Sequence, residues 1–252
     1  MRHAVVKIFG ERNTATNALQ KVIELNSAAR CLPSTAIQLD PGAAQRARWS
    51  LTRRSRERKI DAIFAGRGAL EAWKHCATDF RDASAFANVL VTFTVRHPAS
   101  WLLSLYKHPY HELGRTVRDL TGFIHAPWPT VGRERLGGGE FRPLELYQRK
   151  LDSYFELEER LGQAGMDYRF VKFEDLILRQ QSAFEEVAQC LFDPKPEFEE
   201  LRQSTKDRTK QLDDYKRYYG FENWRSELTG HEDAVNGEIE WARLDRFGYA
   251  PL

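Results

Sequence analysis

Residues 5–24 read VVKIFGERNTATNALQKVIE, and the order of residue types in that stretch decides the architecture. An apolar run of strand character over residues 4–9 meets Gly10, a charged pair and a cluster of hydroxyl and amide side chains. A helical period then resumes at once, with Leu19, Val22 and Ile23 on one face and Leu25 close by. Strand, turn and helix thus follow without a linker. The unit recurs in ANVLVTFTV (87–95), whose hydrophobicity is that of a strand buried on both sides, followed by PASWLLSLYK behind Pro98. It recurs again in YRFVKFEDL (168–176) followed by SAFEEVAQCLF (182–192), and GALEAWKH (68–75) reads as a weaker strand before Cys76. Strands alternating with helices predict an α/β fold: a three-layer α/β/α arrangement around a parallel sheet, with the ligand at the carboxyl ends of the strands.

At 252 residues, 42% of them hydrophobic, the chain supports one sizeable core, and residues 1–252 are expected to form a single domain. Lys and Arg number 38 against 36 Asp and Glu, a net charge of +2, so any attraction for anions must be local and no nucleic-acid partner is expected. Three cysteines, Cys31, Cys76 and Cys190, suit neither a disulfide framework nor a zinc site and fit a reducing compartment. The start of the chain lacks a basic segment followed by a long apolar one. No later window holds about 18 uninterrupted apolar residues, so a cytoplasmic chain without a membrane span is expected. RARWSLTRRSRERK (46–59) and HAPWPTVGRERLGGGEFRP (125–143) read as loops at least in part. Loops over about 40–60 and 107–143 are expected to border a second substrate.

A turn that launches a helix presents unpaired backbone N–H groups at the positive end of the helix dipole, suited to phosphate or another tetrahedral anion. In ERNTAT, Arg12 offers a fork of donors, and Thr14, Thr16 and Asn17 add short ones, although Thr16 or Asn17 has the alternative role of helix cap. The Gly-Lys-Ser/Thr ending of nucleotide loops is absent. The second core strand runs into Arg96 and His97, where an NTPase often carries a magnesium-binding acid. Arg96 and Ser104 lie 104 − 96 = 8 residues apart, within reach of one further phosphate.

Together these two junctions resemble the sulfotransferases that use 3′-phosphoadenosine 5′-phosphosulfate (PAPS), whose fold is P-loop NTPase-like. In that family the first strand-loop-helix grips the 5′-phosphosulfate, and an Arg followed eight residues later by a Ser grips the 3′-phosphate. ERNTATNAL and RHPASWLLS stand in those places, VKFEDLI (171–177) is similar to the family's strand ending in Glu-Asp-Leu, and YKRYYGFENWRSELT (215–229) resembles its C-terminal basic segment. The resemblance implies that Arg12, Asn13, Thr14, Ala15, Thr16 and Asn17 hold the phosphosulfate. It further implies that Arg96, Ser104, Lys216 and Arg217 hold the 3′-phosphate and that Phe173 lines the adenine pocket. Aligned with the family's Lys-Ser-Gly-Thr-Thr-Trp, the loop has Ala15 at the glycine, Asn13 at the lysine and Ala18 at the tryptophan, so Arg12 must replace the lysine's charge. Ala15 serves there only if the position does not need φ > 0.

The resemblance implies a metal-independent, in-line transfer of a sulfuryl group to a hydroxyl or amine, leaving 3′,5′-adenosine diphosphate. His75 corresponds to the family's base and Lys74 stands in reserve to steady developing charge. His111 is a second base candidate. His108 and His111 do not make a convincing metal site, since no acidic or cysteine ligand completes one and Pro109 breaks their helical face. The run Arg46–Lys59 suits an anionic saccharide acceptor or a solvated loop, and the Tyr215–Trp224 aromatics suit a packing cluster as well as a phosphate clamp. Two rivals stay open: an NTP-dependent kinase with a degenerate P-loop, and a noncatalytic nucleotide- or polysaccharide-binding module.

Overall fold

The computed structural model describes residues 2–111, 113, 117, 119–203, 209 and 211–252. Its central sheet contains β1 (Val5–Gly10), β2 (Arg30–Cys31), β3 (Leu90–Val95) and β6 (Tyr168–Lys172), all parallel, in the order β2-β1-β3-β6. A short antiparallel pair, β4 (Trp128–Pro129) and β5 (Glu140–Phe141), lies outside it. The helices are α1 (Thr16–Asn26), α2 (Ala36–Leu39), α3 (Pro41–Arg48), α4 (Arg53–Phe64), α5 (Pro98–Lys107), α6 (Leu120–His125), α7 (Pro143–Gln163), α8 (Phe173–Leu178), α9 (Gln180–Ala188), α10 (Leu212–Gly220) and α11 (Glu232–Asn236). The fold is three-layer α/β/α, as the recurring strand-helix units predict.

The strand period of two sorts the apolar side chains into two cores. Val6, Ile8, Leu90 and Val171 pack with Leu19, Val22 and Ile23 of α1 and Phe184 and Val187 of α9. Phe9, Val91, Phe93 and Val95 face the other way, onto α5, α7 and the C-terminal residues Leu244, Phe247 and Tyr249. The register aligns Gly10 with Thr94 and Val95 with Lys172, so the carboxyl ends of three strands lie level. The chain leaves β1 for β2 on one side and returns to β3 on the other, which makes the β1/β3 exit a topological switch point and opens a crevice there.

Two expectations about local structure are corrected. GALEAWKH is not a strand: Ala69–Glu71 forms a single 3-10 turn, and the buried Lys7 ammonium takes the carbonyls of Leu70 and Ala72 at 2.9 and 2.6 Å, groups a ladder would have used. The basic run 46–59 is mostly helical, with only 49–52 between α3 and α4. Glu57 and Asp61 on α4 both bind Arg133, which anchors that helix despite its charge. Within 107–143, residues 112, 114–116 and 118 lie outside the described residues, and the remainder holds α6, β4, β5 and a 3-10 turn at Gly132–Glu134.

Candidate functional site

The turn after β1 begins with a steric demand. A Cβ on Gly10 would lie 1.9 Å from Thr94 Oγ1, because the Thr14 and Thr94 hydroxyls meet at 2.6 Å across the strand ends. Thr14 Oγ1 also lies 2.6 Å from the Glu11 carbonyl, which curls the turn back on itself. Asn13 and Ala15 both adopt left-handed backbone, φ 66° and 68°. Asparagine tolerates that region and alanine does not, so the position that aligns with glycine does require φ > 0, and Ala15 holds it under strain. Ala15 is also the N-cap of α1 and supplies no side-chain cap. Thr16 and Asn17 therefore do not cap the helix, and the N–H groups of Thr16, Asn17 and Ala18 have no acceptor among the described residues.

These groups open on a cleft of about 1070 Å³ at the carboxyl end of the sheet, walled also by α2, α4, α5, α8 and α10. Among the described residues, eight Lys or Arg line it against two carboxylates, Glu57 and Asp214, and those two are ion-paired with Arg133 and Arg217. Of the cations that are buried or half-buried, Arg12, Lys74 and Arg96 have no carboxylate partner among the described residues. Arg12 lies over the Tyr110 ring at 4.5 Å and donates no hydrogen bond to a described residue, and its backbone carbonyl is held by Trp101 Nε1 at 2.8 Å. Among the described residues the buried Lys74 ammonium donates only to Asn17 Oδ1, and burial and the neighbouring Arg12 lower its pKa to about 8.

Arg96, 3% exposed, is held among the described residues by neutral acceptors alone: Ser100 Oγ at 2.9 and 2.8 Å, the Asn13 carbonyl at 2.8 Å and the Tyr219 hydroxyl at 2.8 Å. Its guanidinium lies over Phe173 at 4.1 Å and Tyr219 at 5.1 Å. Buried charge without a counterion is costly, so this arrangement suits an anionic ligand.

His75 lies beside this charge. Its Nδ1 is 2.6 Å from the Gly10 carbonyl, which can only accept, so Nδ1 carries the proton and Nε2 the lone pair. Burial, with Lys74 and Arg12 adding, pushes its pKa well below the ordinary histidine value, so the ring is neutral at pH 7. Gly10 N–H in turn donates to the Lys74 carbonyl at 2.9 Å, which fixes the 74–75 segment against the end of β1.

No protein-family model matches the chain, and the search of curated proteins found no match.

Arg12, Asn13, Ala15, Thr16, Asn17, Lys74, His75, Arg96, Ser104 and Phe173 all line this one cleft, and Thr14 lies buried beneath it. Lys216 and Arg217 do not line it. On α10 the cleft face carries Leu212, Tyr215 and Tyr219, and the two cations instead bind Glu200 and Asp214 at 2.8 Å each. Arg96 bonds Ser100, one turn into α5, while the Ser104 hydroxyl a turn farther on bonds no described residue. Phe173 has a face covered by Arg96 and packs edge-on with Tyr219, and the neighbouring apolar wall of the cleft is Leu176, Ile177, Leu212 and Tyr215. His111 reaches the cleft, but its Nε2 turns to Glu134 Oε2 at 3.8 Å, and burial lowers its pKa to about 4. Sequence reading missed Ser100 and Tyr219. The first lies at i+4 from Arg96, and the second shares a helical face with Leu212 at i+7, both legible from a helical period.

Beneath the turn sits a buried ion cluster. Lys150 pairs with Glu11 and, at 2.7 Å, with Glu134, and the Tyr110 hydroxyl lies 3.1 and 3.2 Å from the same two carboxylates. The cluster ties β1 to α7 and positions the Tyr110 ring under Arg12.

Proposed function

We propose that the chain is a PAPS-dependent sulfotransferase, moving a sulfuryl group to a hydroxyl or amine of an acceptor. The observation that supports this reading is the grouping of three buried or half-buried cations without counterions, Arg12, Lys74 and Arg96, around uncapped helix N–H groups and a neutral imidazole. The donor supplies an activated sulfuryl group. On this reading Arg12, Lys74 and the N–H groups of Thr16, Asn17 and Ala18 hold its 5′ anionic end, where charge grows on the bridging oxygen in the transition state. Arg96 and Ser104 hold the 3′-phosphate. Arg96 has five N–H donors and uses four in the contacts above, so a phosphate takes the fifth or displaces Tyr219. Leu176, Ile177, Leu212 and Tyr215 cover the adenine, and Lys216 and Arg217 play no part. His75 Nε2 takes the acceptor's proton.

A kinase is less well supported, because the two carboxylates that line the cleft among the described residues are committed to arginines and could bind Mg²⁺ only by releasing them. The reading includes a reducing, cytoplasmic setting, in keeping with three free cysteines. Thermal melting tests it. 3′,5′-Adenosine diphosphate at a hundredfold excess over its dissociation constant is expected to stabilise the fold by about 2.7 kcal/mol, and ATP with Mg²⁺ by clearly less. The opposite ranking supports the kinase. Bisphosphate binding with no transfer of labelled sulfate to any of a broad panel of alcohols, amines and saccharides supports the binding module.

A further inference from the structure

Independently of that chemistry, we infer that the α3–α4 hairpin docks the protein onto an anionic lipid surface. At its tip Trp49 is 80% exposed and Leu51 101%, so both project fully from the body. The turn that carries them is ordered: Trp49 and Ser50 N–H groups donate back to the Arg46 and Ala47 carbonyls at 3.3 and 3.1 Å, and Thr52 Oγ1 caps α4 by accepting from Ser55 N–H at 3.1 Å. Two apolar side chains held out on a rigid turn gain nothing from the fold and would gain from an apolar medium.

The surrounding charge says which medium. Residues 46–59 hold seven basic side chains and one acid, a charge of +6, which leaves −4 for the rest of a chain whose net charge is +2. That acid, Glu57, is buried and paired with Arg133, whereas Arg46, Arg48, Arg54, Arg58 and Lys59 are exposed and have no carboxylate partner among the described residues. A tryptophan and a leucine collared by arginines match the interface of an anionic bilayer, with the ring at the headgroup level and the cations on lipid phosphates. Single-stranded nucleic acid fits less well, since it needs stacking platforms along a groove and Leu51 offers none. No described helix is long and apolar enough to cross a membrane, so the attachment is peripheral and reversible. Arg53 and Arg56 of α4 also line the cleft, so docking brings one cleft wall to the lipid surface.

Co-sedimentation of the full chain, without nucleotide, with phosphatidylcholine vesicles and with vesicles containing about 30% phosphatidylglycerol tests this. Partitioning is expected to rise at least tenfold with the anionic lipid at 0.1 M salt and to fall severalfold at 0.5 M. Trp49→Ala/Leu51→Ser is expected to lose at least tenfold while melting at the wild-type temperature, because neither side chain is packed. Brominated lipid should quench fluorescence in the wild type and not in the double variant. Equal partitioning into neutral and anionic vesicles, no partitioning, full binding by the double variant, or tighter binding of a single-stranded oligonucleotide through the same residues each overturns the inference. None of these outcomes bears on whether the cleft binds a nucleotide.

Discussion

Ala15 and His75 show how single positions in the cleft trade stability for chemistry. The left-handed conformation of Ala15 costs about 1–2 kcal/mol relative to a right-handed one, while glycine there would raise the conformational freedom of the unfolded chain by roughly 0.4–1 kcal/mol. Ala15→Gly is accordingly expected to raise the stability measured by urea unfolding by about 0.5–1 kcal/mol, and Ala15→Val to lower it by more than that; a destabilised glycine variant would contradict the strain. His75 and Lys74 set the pH response. The imidazole is neutral well below pH 6.5, so the sulfotransfer reading predicts no fall in kcat/KM between pH 7.5 and 6. Lys74, with a pKa of about 8, loses the charge that steadies the anion as the pH rises, so kcat/KM falls above pH 8. His75→Asn is expected to lower kcat by roughly 10²–10⁴, with the melting shift from 3′,5′-adenosine diphosphate intact. A limb titrating near 6.5, or a variant with unchanged kcat, would remove His75 from the base role.

Among elements, the joint between β1 and β3 has the least tolerance. A Cβ at Gly10 meets Thr94 Oγ1 at 1.9 Å and the Thr94 carbonyl at 2.9 Å, so Gly10→Ala must part the two strand ends and break the Thr14–Thr94 hydroxyl contact. The expected loss is about 3 kcal/mol by urea unfolding. Adding Thr94→Ala removes the nearer clash and should restore part of that loss, a coupling that a double-mutant cycle reads directly. The strand-helix units around β1, β3 and β6 were legible because each is a dense apolar run with a helical period directly behind it. The segment 68–75 was not, since its alternation imitates a strand, while the side chain that occupies its carbonyls, Lys7, lies more than sixty residues earlier. Arginine density made 46–59 read as loop at least in part, which holds for 49–52, yet what makes α4 a helix with a docked face is Arg133, whose pairing with Glu57 and Asp61 no local pattern announces. The cleft followed from the turn and from the sign of the charge at Arg96. The failure at Lys216 and Arg217 came from reading charge without helical phase.

At the scale of the whole molecule, the C-terminal residues close the structure over the same strand exit that shapes the cleft. His97, next to Arg96, is enclosed by Trp224, Trp241 and Tyr249, and its Nε2 lies 3.0 Å from the Ala250 carbonyl. That contact makes Nε2 the donor and leaves the buried Nδ1 with no partner among the described residues. The Tyr249 hydroxyl donates to Glu174, whose other oxygen accepts the His97 N–H, so the tail, α8 and the start of α5 are tied at one point. Protonating His97 would place an N–H and a charge where nothing accepts them, and burial keeps its pKa at about 4. His75 and His111 are likewise held neutral by burial. A histidine that binds its proton more weakly in the folded chain than in the unfolded one contributes full stability above pH 6.5 and loses it as the pH falls, by up to about 1.4 kcal/mol per pH unit. Three such groups predict a loss on the order of 4 kcal/mol between pH 6.5 and 5, above the range where ordinary carboxylates titrate. Urea unfolding at pH 7, 6 and 5 measures it. His97→Phe, which removes one of the three titrations, should reduce the slope by about a third whatever its effect on stability at pH 7. Equal stability at pH 7 and 5 would mean that the three rings are not held neutral, and the tail's attachment through His97 would then need another explanation.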